Sequence, residues 1–307
     1  MQNFFRQLAS VSARSMVVVL LLLACLSCEK ADFSDVGGKD EPTDIPAGSP
    51  VATFRIVGVE GDNYEDTIPY TRAADLSGLF SRLDIAMFQN GKRTVYEHLE
   101  NTGDDAWAYS MAAEENSVTV VFIAHSCAEH ANIVQPDKIT FPKNKVTDTF
   151  YYCATVSMEA KDSVYDIVLK RATAQLCAIA PYGVDAQTSQ LEFYYTGGSS
   201  TFDAFAGCGC VDSRQTELRD IDAESAGEKQ FFRLYTFPKA NSKELKLTVT
   251  PVLKDGSEGE KTVYEKVPIV PGSVTTLQLG SVAAPEQKEV RLRLSAEDAP
   301  FELRFCY

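Results

Sequence analysis

The 307-residue chain is poor in histidine and tryptophan, with three residues of the first and one of the second. A histidine-based catalytic triad therefore has few candidates, and no GxSxG elbow, phosphate-binding glycine loop or HExxH motif occurs. Basic residues are also in deficit, because 29 Lys and Arg stand against 43 Asp and Glu, for a net charge of −14. Contacts of Lys and Arg with phosphate supply most nucleic-acid affinity. We therefore expect a non-enzymatic protein with no cofactor and no nucleic-acid partner.

Long apolar runs are also lacking, apart from one near the N-terminus at residues 16–26. A bilayer takes about 20 apolar residues to cross, so this run is too short. Arg6 and Arg14 precede it without any acidic residue, an order typical of a secretory signal peptide. The step into Cys28 resembles a bacterial lipobox, which predicts a signal peptide at 1–27 and a lipid on Cys28. Cys25 is the alternative lipidation site, since it has the better-placed leucine before it.

Residues 28–50 have the composition of a tether. They are rich in Gly, Pro, Ser and Asp and offer little to bury, so we expect them to be disordered. An acidic chain is repelled by anionic lipid heads, and any attachment to a membrane must then come from the lipid. The sequence predicts a lipoprotein that is anchored by its first mature residue.

The rest of the chain lacks convincing helical periodicity, except for a short candidate at 68–80. Apolar and polar residues instead alternate in short runs separated by turn residues, a pattern typical of strands. Asn90-Gly91 between two such runs is a hairpin signal. About seven runs in each half predict an all-β fold of two tandem antiparallel β-sandwich domains, at 51–160 and 161–307.

Five segments occur in an order that resembles the FimB-like fimbrial anchor and fimbrillin lipoproteins of Bacteroidales. They are RLDIAMFQNGK at 82–92, SVTVVFIAHS at 117–126, DTFYYCATVSM at 148–158, YDIVLKRATAQLCAIA at 165–180 and VPIVPGSVTTLQLG at 267–280. The resemblance implies two transthyretin-like sandwich domains. It also implies a surface-exposed lipoprotein of the outer membrane with a place in fimbriae. It also implies partners among other fimbrial subunits, with host or bacterial surface ligands as further candidates.

The C-terminus alternates apolar and polar residues over its last seven positions. Phe301, Leu303, Phe305 and Tyr307 share one face, so this segment is a candidate strand donor for another subunit, or it pairs within its own domain. In polymerising members of the family the first strand is removed after an arginine in a loop, and Arg72 is the matching candidate for protease cleavage. Retention of the lipid predicts an anchor or accessory subunit, whereas cleavage predicts a stalk or tip subunit.

Two histidines and a thiol lie close together at the end of a predicted strand. His125, Cys127 and His130 match no structural zinc spacing, and no second cluster supplies further ligands, so we expect no metal site. The cysteines beyond Cys28 are scattered through predicted strands, which leaves disulfides and free buried thiols as alternatives.

A surface glycan- or host-binding lipoprotein is the alternative role. The candidate stacking aromatics are Trp107, Tyr109, Tyr194 and Tyr195, although single tryptophans and strand tyrosines are more typical of cores and sheet faces.

Overall fold

The computed structural model confirms an all-β protein. It describes residues 51–60, 76, 78–100, 107–112, 117–158, 163–221, 227–279, 289–293 and 302–306, the last two ranges as backbone only. A 3-10 turn at Pro142–Asn144 is the one helical segment among these residues. None of them forms a helix long and apolar enough to cross a membrane. Most of the helix candidate at 68–80 lies outside the described residues.

The first nine strands build one curved sheet and part of a second. They are β1 (Val51–Glu60), β2 (Arg82–Gln89), β3 (Lys92–Glu100), β4 (Ala108–Ala112), β5 (Ser117–His125), β6 (Asn132–Gln135), β7 (Lys138–Thr140), β8 (Thr149–Ser157) and β9 (Ser163–Arg171). Seven of these strands form a sheet in the order β3-β2-β5-β8-β9-β1-β4.

This sheet bends back on itself between β8 and β9, which pair at only two positions. The ring of Phe54 on β1 lies 5.4 Å from the ring of Phe122 on β5, although two strands separate β1 and β5 in the sheet. Alternation along β1 buries Ala52, Phe54 and Ile56 on one face. The bend therefore closes the sheet into a two-layer sandwich around one apolar core.

The other eleven strands build a second sandwich and complete a small joining sheet. They are β10 (Ala174–Ala180), β11 (Thr188–Thr196), β12 (Thr201–Asp203), β13 (Cys208–Gly209), β14 (Arg214–Asp220), β15 (Gln230–Thr236), β16 (Glu244–Leu253), β17 (Thr262–Pro268), β18 (Val274–Gln278), β19 (Glu289–Arg293) and β20 (Glu302–Cys306). One layer has the order β15-β10-β18-β19-β20 and the other β14-β11-β16-β17. Phe193 and Phe232 meet between the layers, with ring centroids 5.5 Å apart.

A four-stranded sheet ordered β13-β12-β7-β6 joins the two halves of the chain. Thr140 on β7 pairs with Thr201 on β12. A third apolar cluster lies against this small sheet and takes Phe88 and Val121 from the first half and Phe202 from the second. β2 and β5 are consequently buried on both faces, one toward the first core and one toward this cluster.

The strand predictions are confirmed for most segments, with differences at the junction. The sequence shows one long strand-like run at 164–179, which fits one bent strand or two, and the structure has two, β9 and β10, separated by Ala172 and Thr173. β9 pairs with β1 at eight positions, so the sheet that begins with β1 continues to Arg171. The sequence did not indicate β6, β7, β12, β13 or β14. The transthyretin-like character and the division into two domains stay predictions.

Candidate functional site

All three histidines of the chain surround one buried carboxylate, Asp84 on β2. His98 Nδ1 and His130 Nδ1 lie 2.7 and 2.8 Å from Asp84 Oδ1. His125 Nε2 lies 2.7 Å from Oδ2, and the Ala131 amide donates to the same oxygen over 2.6 Å. The Asp84 side chain is fully buried, so these four groups replace its hydration shell.

The hairpin of β2 and β3 places His98 opposite Asp84. Its turn is Asn90-Gly91, with φ values of 51° and 76°, which confirms the predicted two-residue hairpin. The register then shifts by one residue between Met87 and Phe88, a β-bulge that puts Asp84 across from His98. His98 thereby shares the face of Asp84.

The other two histidines come from the end of β5 and the loop that follows it. β5 is the other neighbour of β2 in the sheet, and Arg82 on β2 pairs with His125 on β5. Asp84 lies two residues after Arg82 on β2, so the His125 ring reaches it diagonally across the two strands. The chain then turns, and His130 approaches Asp84 from the loop side. Tyr96 on β3 donates to the carbonyl of Ala131 and fixes the loop end against the sheet.

Hydrogen bonding keeps Asp84 ionised. Burial alone would raise the pKa of Asp84, but the hydrogen bonds from His125 and His98 and from the Ala131 amide outweigh burial and hold that pKa below its ordinary value. The Cys127 amide donates to His125 Nδ1 over 3.1 Å. Nδ1 therefore carries no proton in this arrangement, and Nε2 donates to the carboxylate.

An ion pair borders the open side of the cluster. Arg82 Nη1 lies 3.2 Å from His130 Nε2 and 2.5 Å from Glu100 Oε1. Because arginine only donates, Nε2 of His130 accepts and Nδ1 carries the proton that faces Asp84. The side chains of His98 and His130 are 34% and 31% exposed, so solvent reaches both rings.

The neighbouring thiol does not give the cluster an accessible nucleophile. Burial raises the pKa of Cys127, whereas hydrogen bonding with His125 and Thr147 lowers it, and the net direction is downward. The residue is only 6% exposed, and Sγ lies 3.4 Å from the carbonyl oxygen of Lys145. A substrate could not approach this sulfur without opening the loop.

None of the residues of this cluster was proposed from the sequence as functional. Cys25, Cys28, Arg72, Phe301 and Tyr307 are outside the described residues. The backbone positions 303 and 305 belong to β20, which pairs antiparallel with β19 over five residue pairs. Among the described strands, β20 has no second neighbour and forms the edge of its sheet.

Two of the four candidate stacking aromatics are buried. Trp107 is in the first core, and Tyr195 is in the second, where its hydroxyl donates to Glu217 over 2.7 Å. Neither side chain can stack on a surface sugar, whereas Tyr109 and Tyr194 are half-buried. The described cysteines whose side chains are placed are all free: Cys127, Cys153, Cys177, Cys208 and Cys210.

No family model matches the sequence, and the search of curated proteins finds no match. Solved structures do match. They include proteins of Bacteroidales that are described as adhesins, as fimbrial proteins and, in one case, as polysaccharide-binding proteins. A proposed cell adhesion protein from Parabacteroides distasonis is 9% identical with a TM-score of 0.48, covering 84% of this chain and 96% of that one. A fimbrial assembly protein from the same species is 10% identical with a TM-score of 0.42, covering 84% and 98%.

The fimbrial anchor protein Mfa2 from Porphyromonas gingivalis is a further match. It is 10% identical to this chain with a TM-score of 0.40, and the match covers 74% of this chain and 90% of that one. Because these identities are near 10% and the TM-scores are below 0.5, the role of this chain is inferred below from its own residues.

Proposed function

We propose that this chain is a non-enzymatic surface lipoprotein that acts as a fimbrial anchor or accessory subunit and assembles by β-strand addition. The signal peptide, Cys28 and the tether at 28–50 support export and lipid attachment. The five segments between residues 82 and 280 resemble segments of fimbrial anchor and fimbrillin lipoproteins in their order. This resemblance supports a fimbrial role. Its partners are then other fimbrial subunits, and its place is the outer membrane at the base or side of a fimbria.

The observation that carries the assembly mechanism is the edge position of β20. An edge strand presents a row of backbone donors and acceptors, and another chain can pair with that row. Among the described strands β20 pairs only with β19, so its release would break a single strand pairing. Pairing with another subunit would place alternate residues of 301–307 in pockets of the partner sheet.

The alternative role is a stalk or tip subunit released by cleavage after Arg72. Such a cut would free β1 from the rest of the chain. β1 lies between β4 and β9 and buries Phe54 in the first core. Its departure would leave a slot for a ten-residue strand from a neighbouring subunit, with β9 on one side and β4 on the other.

Two measurements test the proposal. Mass spectrometry of the mature protein distinguishes the roles, because an anchor begins with lipid-modified Cys28 or Cys25 and a released subunit begins with Ala73. Pull-down from outer-membrane extracts is then compared for the parent, for deletion of residues 301–307, and for the variant Leu303→Asp/Phe305→Asp. The matched control is Glu302→Ser/Arg304→Ser, which changes the other face of the same segment.

We expect fimbrial subunits to be recovered with the parent and the control, and to be lost with the deletion and the aspartate variant. Recovery that is unchanged by both would contradict strand addition through β20. A glycan array that shows specific binding, together with no recovered subunit, would replace the fimbrial role by the glycan-binding one.

A further inference from the structure

We propose that Asp84, His98 and His130 bind a divalent transition-metal ion of the zinc class. Asp84 Oδ1, His98 Nδ1 and His130 Nδ1 lie within 4.8 Å of one another. Two imidazoles and one carboxylate are a donor set that suits Zn²⁺, Ni²⁺ or Cu²⁺. Three protein ligands leave one tetrahedral position for water or for a group of a partner.

The geometry needs only a small adjustment to receive the ion. Both Nδ1 atoms now face the same oxygen, at 2.7 and 2.8 Å. Ligand bonds of about 2.0 to 2.1 Å in a tetrahedral site separate ligand atoms by about 3.4 Å, so each ring must withdraw by roughly 0.6 Å. The rings of His98 and His130 are partly exposed and can move outward, and the same exposure gives the ion an entry path.

The carboxylate is already held in the orientation that coordination requires. Asp84 Oδ2 is occupied by His125 Nε2 and the Ala131 amide, which leaves Oδ1 directed to the other two histidines. Outer partners of this kind orient a ligand and raise metal affinity. His125 is thus a positioning residue and not a ligand, because its second nitrogen is occupied by the Cys127 amide.

The ion pair beside the cluster makes opposite contributions to metal binding. A metal ion on Nδ1 of His130 displaces the proton of that atom, so Nε2 must carry a proton instead. Arg82 donates toward Nε2 and therefore opposes the metal-bound tautomer. Glu100 Oε1, 3.9 Å from Nε2, is the acceptor available to that proton and therefore supports it.

The test titrates the full chain, first treated with a chelator, with Zn²⁺ by calorimetry and with Co²⁺ by absorption spectroscopy. We expect one ion per chain and a Co²⁺ spectrum of nitrogen and oxygen ligands without a thiolate charge-transfer band. His98→Gln and His130→Gln should each lower the affinity at least about tenfold, and the double variant should abolish binding. Glu129→Gln, an exposed acidic residue of the same loop, is the matched control and should leave the affinity unchanged.

Two further variants keep the proposal testable if a histidine variant fails to fold. Glu100→Ala should weaken Zn²⁺ binding about tenfold, because the Nε2 proton loses its acceptor. Arg82→Met should strengthen binding, because the competing tautomer loses its donor. If the cluster were merely structural, these variants would change the thermal stability, and neither the parent nor the variants would bind Zn²⁺.

Three results would overturn the inference. The first is the absence of any stoichiometric heat with Zn²⁺ in the parent. The second is binding that survives in the folded double histidine variant. The third is a thiolate band with Co²⁺ that disappears in a Cys127→Ser variant, which would assign the ion to cysteine.

Discussion

Asp84→Ala tests whether the buried cluster stabilises the fold. The substitution removes the acceptor for two donors that are completely buried, His125 Nε2–H and the Ala131 amide. A buried donor left unsatisfied costs about 1 to 3 kcal/mol. His98 and His130 are partly exposed and can turn to water, so they add little. Relief from the desolvation of a buried carboxylate offsets part of the loss, and we expect a decrease of about 3 kcal/mol in the free energy of unfolding.

The assay is urea denaturation in the presence of a chelator, which separates this effect from any bound metal. The control is Asp166→Ala on β9, an acidic residue of the same sheet that is about half exposed and pairs with Arg55 at 2.7 Å. An exposed pair of this kind contributes less than about 1 kcal/mol. If Asp84→Ala were no more destabilising than Asp166→Ala, the hydrogen-bonded cluster around Asp84 would not be a source of stability.

Three further substitutions probe the packing, each by urea denaturation. Phe54→Ala on β1 should cost about 3 to 5 kcal/mol, because the ring is buried between two aromatic neighbours, whereas Val164→Ala on an exposed position should cost under about 1 kcal/mol. Gly209→Ala should cost about 1 to 3 kcal/mol, because an added Cβ would lie 2.4 Å from a side-chain carbon and 2.8 Å from a carbonyl oxygen, while Gly58→Ala has open space and is the control. Tyr195→Phe should cost about 1 to 3 kcal/mol, since a buried carboxylate loses its hydroxyl donor. Equal losses for a variant and its control would contradict the first two contacts, and an unchanged free energy of unfolding for Tyr195→Phe would contradict the third.

The sequence was sufficient to predict the position and the inward face of those strands whose inward residues are apolar. β16 is an example, because Leu245, Leu247 and Val249 alternate with polar residues and are buried as the pattern predicts. Period-two alternation reports directly which residues share a face. The predicted strand and its inward face are therefore both confirmed.

β14 was not indicated by the sequence because its pattern is inverted. Gln215 and Glu217 point inward, while Leu218 is 51% exposed. The inward carboxylate is satisfied by Tyr195 and by Arg219, and the inward amide accepts from a threonine hydroxyl. Tyr195 on β11 and the threonine, Thr236 on β15, come from other strands, and no local pattern can reveal them.

Asp84 shows a second limit of the alternation rule. The sequence predicts that Leu83, Ile85 and Met87 face a core and that Arg82 and Asp84 lie on the opposite face, and the two faces are assigned correctly. The pattern does not reveal that the second face is also covered, by the segment that follows β5 and by residues of the second half such as Phe202 and Phe237. A polar residue on a covered face needs buried hydrogen-bond partners, which is the physical reason for the cluster of histidines around Asp84.

The meeting of Asp84 with His98 depends on a single residue of register. The Asn90-Gly91 turn alone pairs Gln89 with Lys92, and continued without interruption it would place Glu97 opposite Asp84. The bulge shifts the pairing by one, so that His98 takes that place. A carboxylate opposite a carboxylate would repel, whereas an imidazole donates. The sequence contains the turn, the carboxylate and the histidine, but it does not show the bulge that brings them together. In the bulge the Thr94 hydroxyl donates to the Met87 carbonyl and accepts from the Gln89 side-chain amide. These contacts form only when the hairpin has folded.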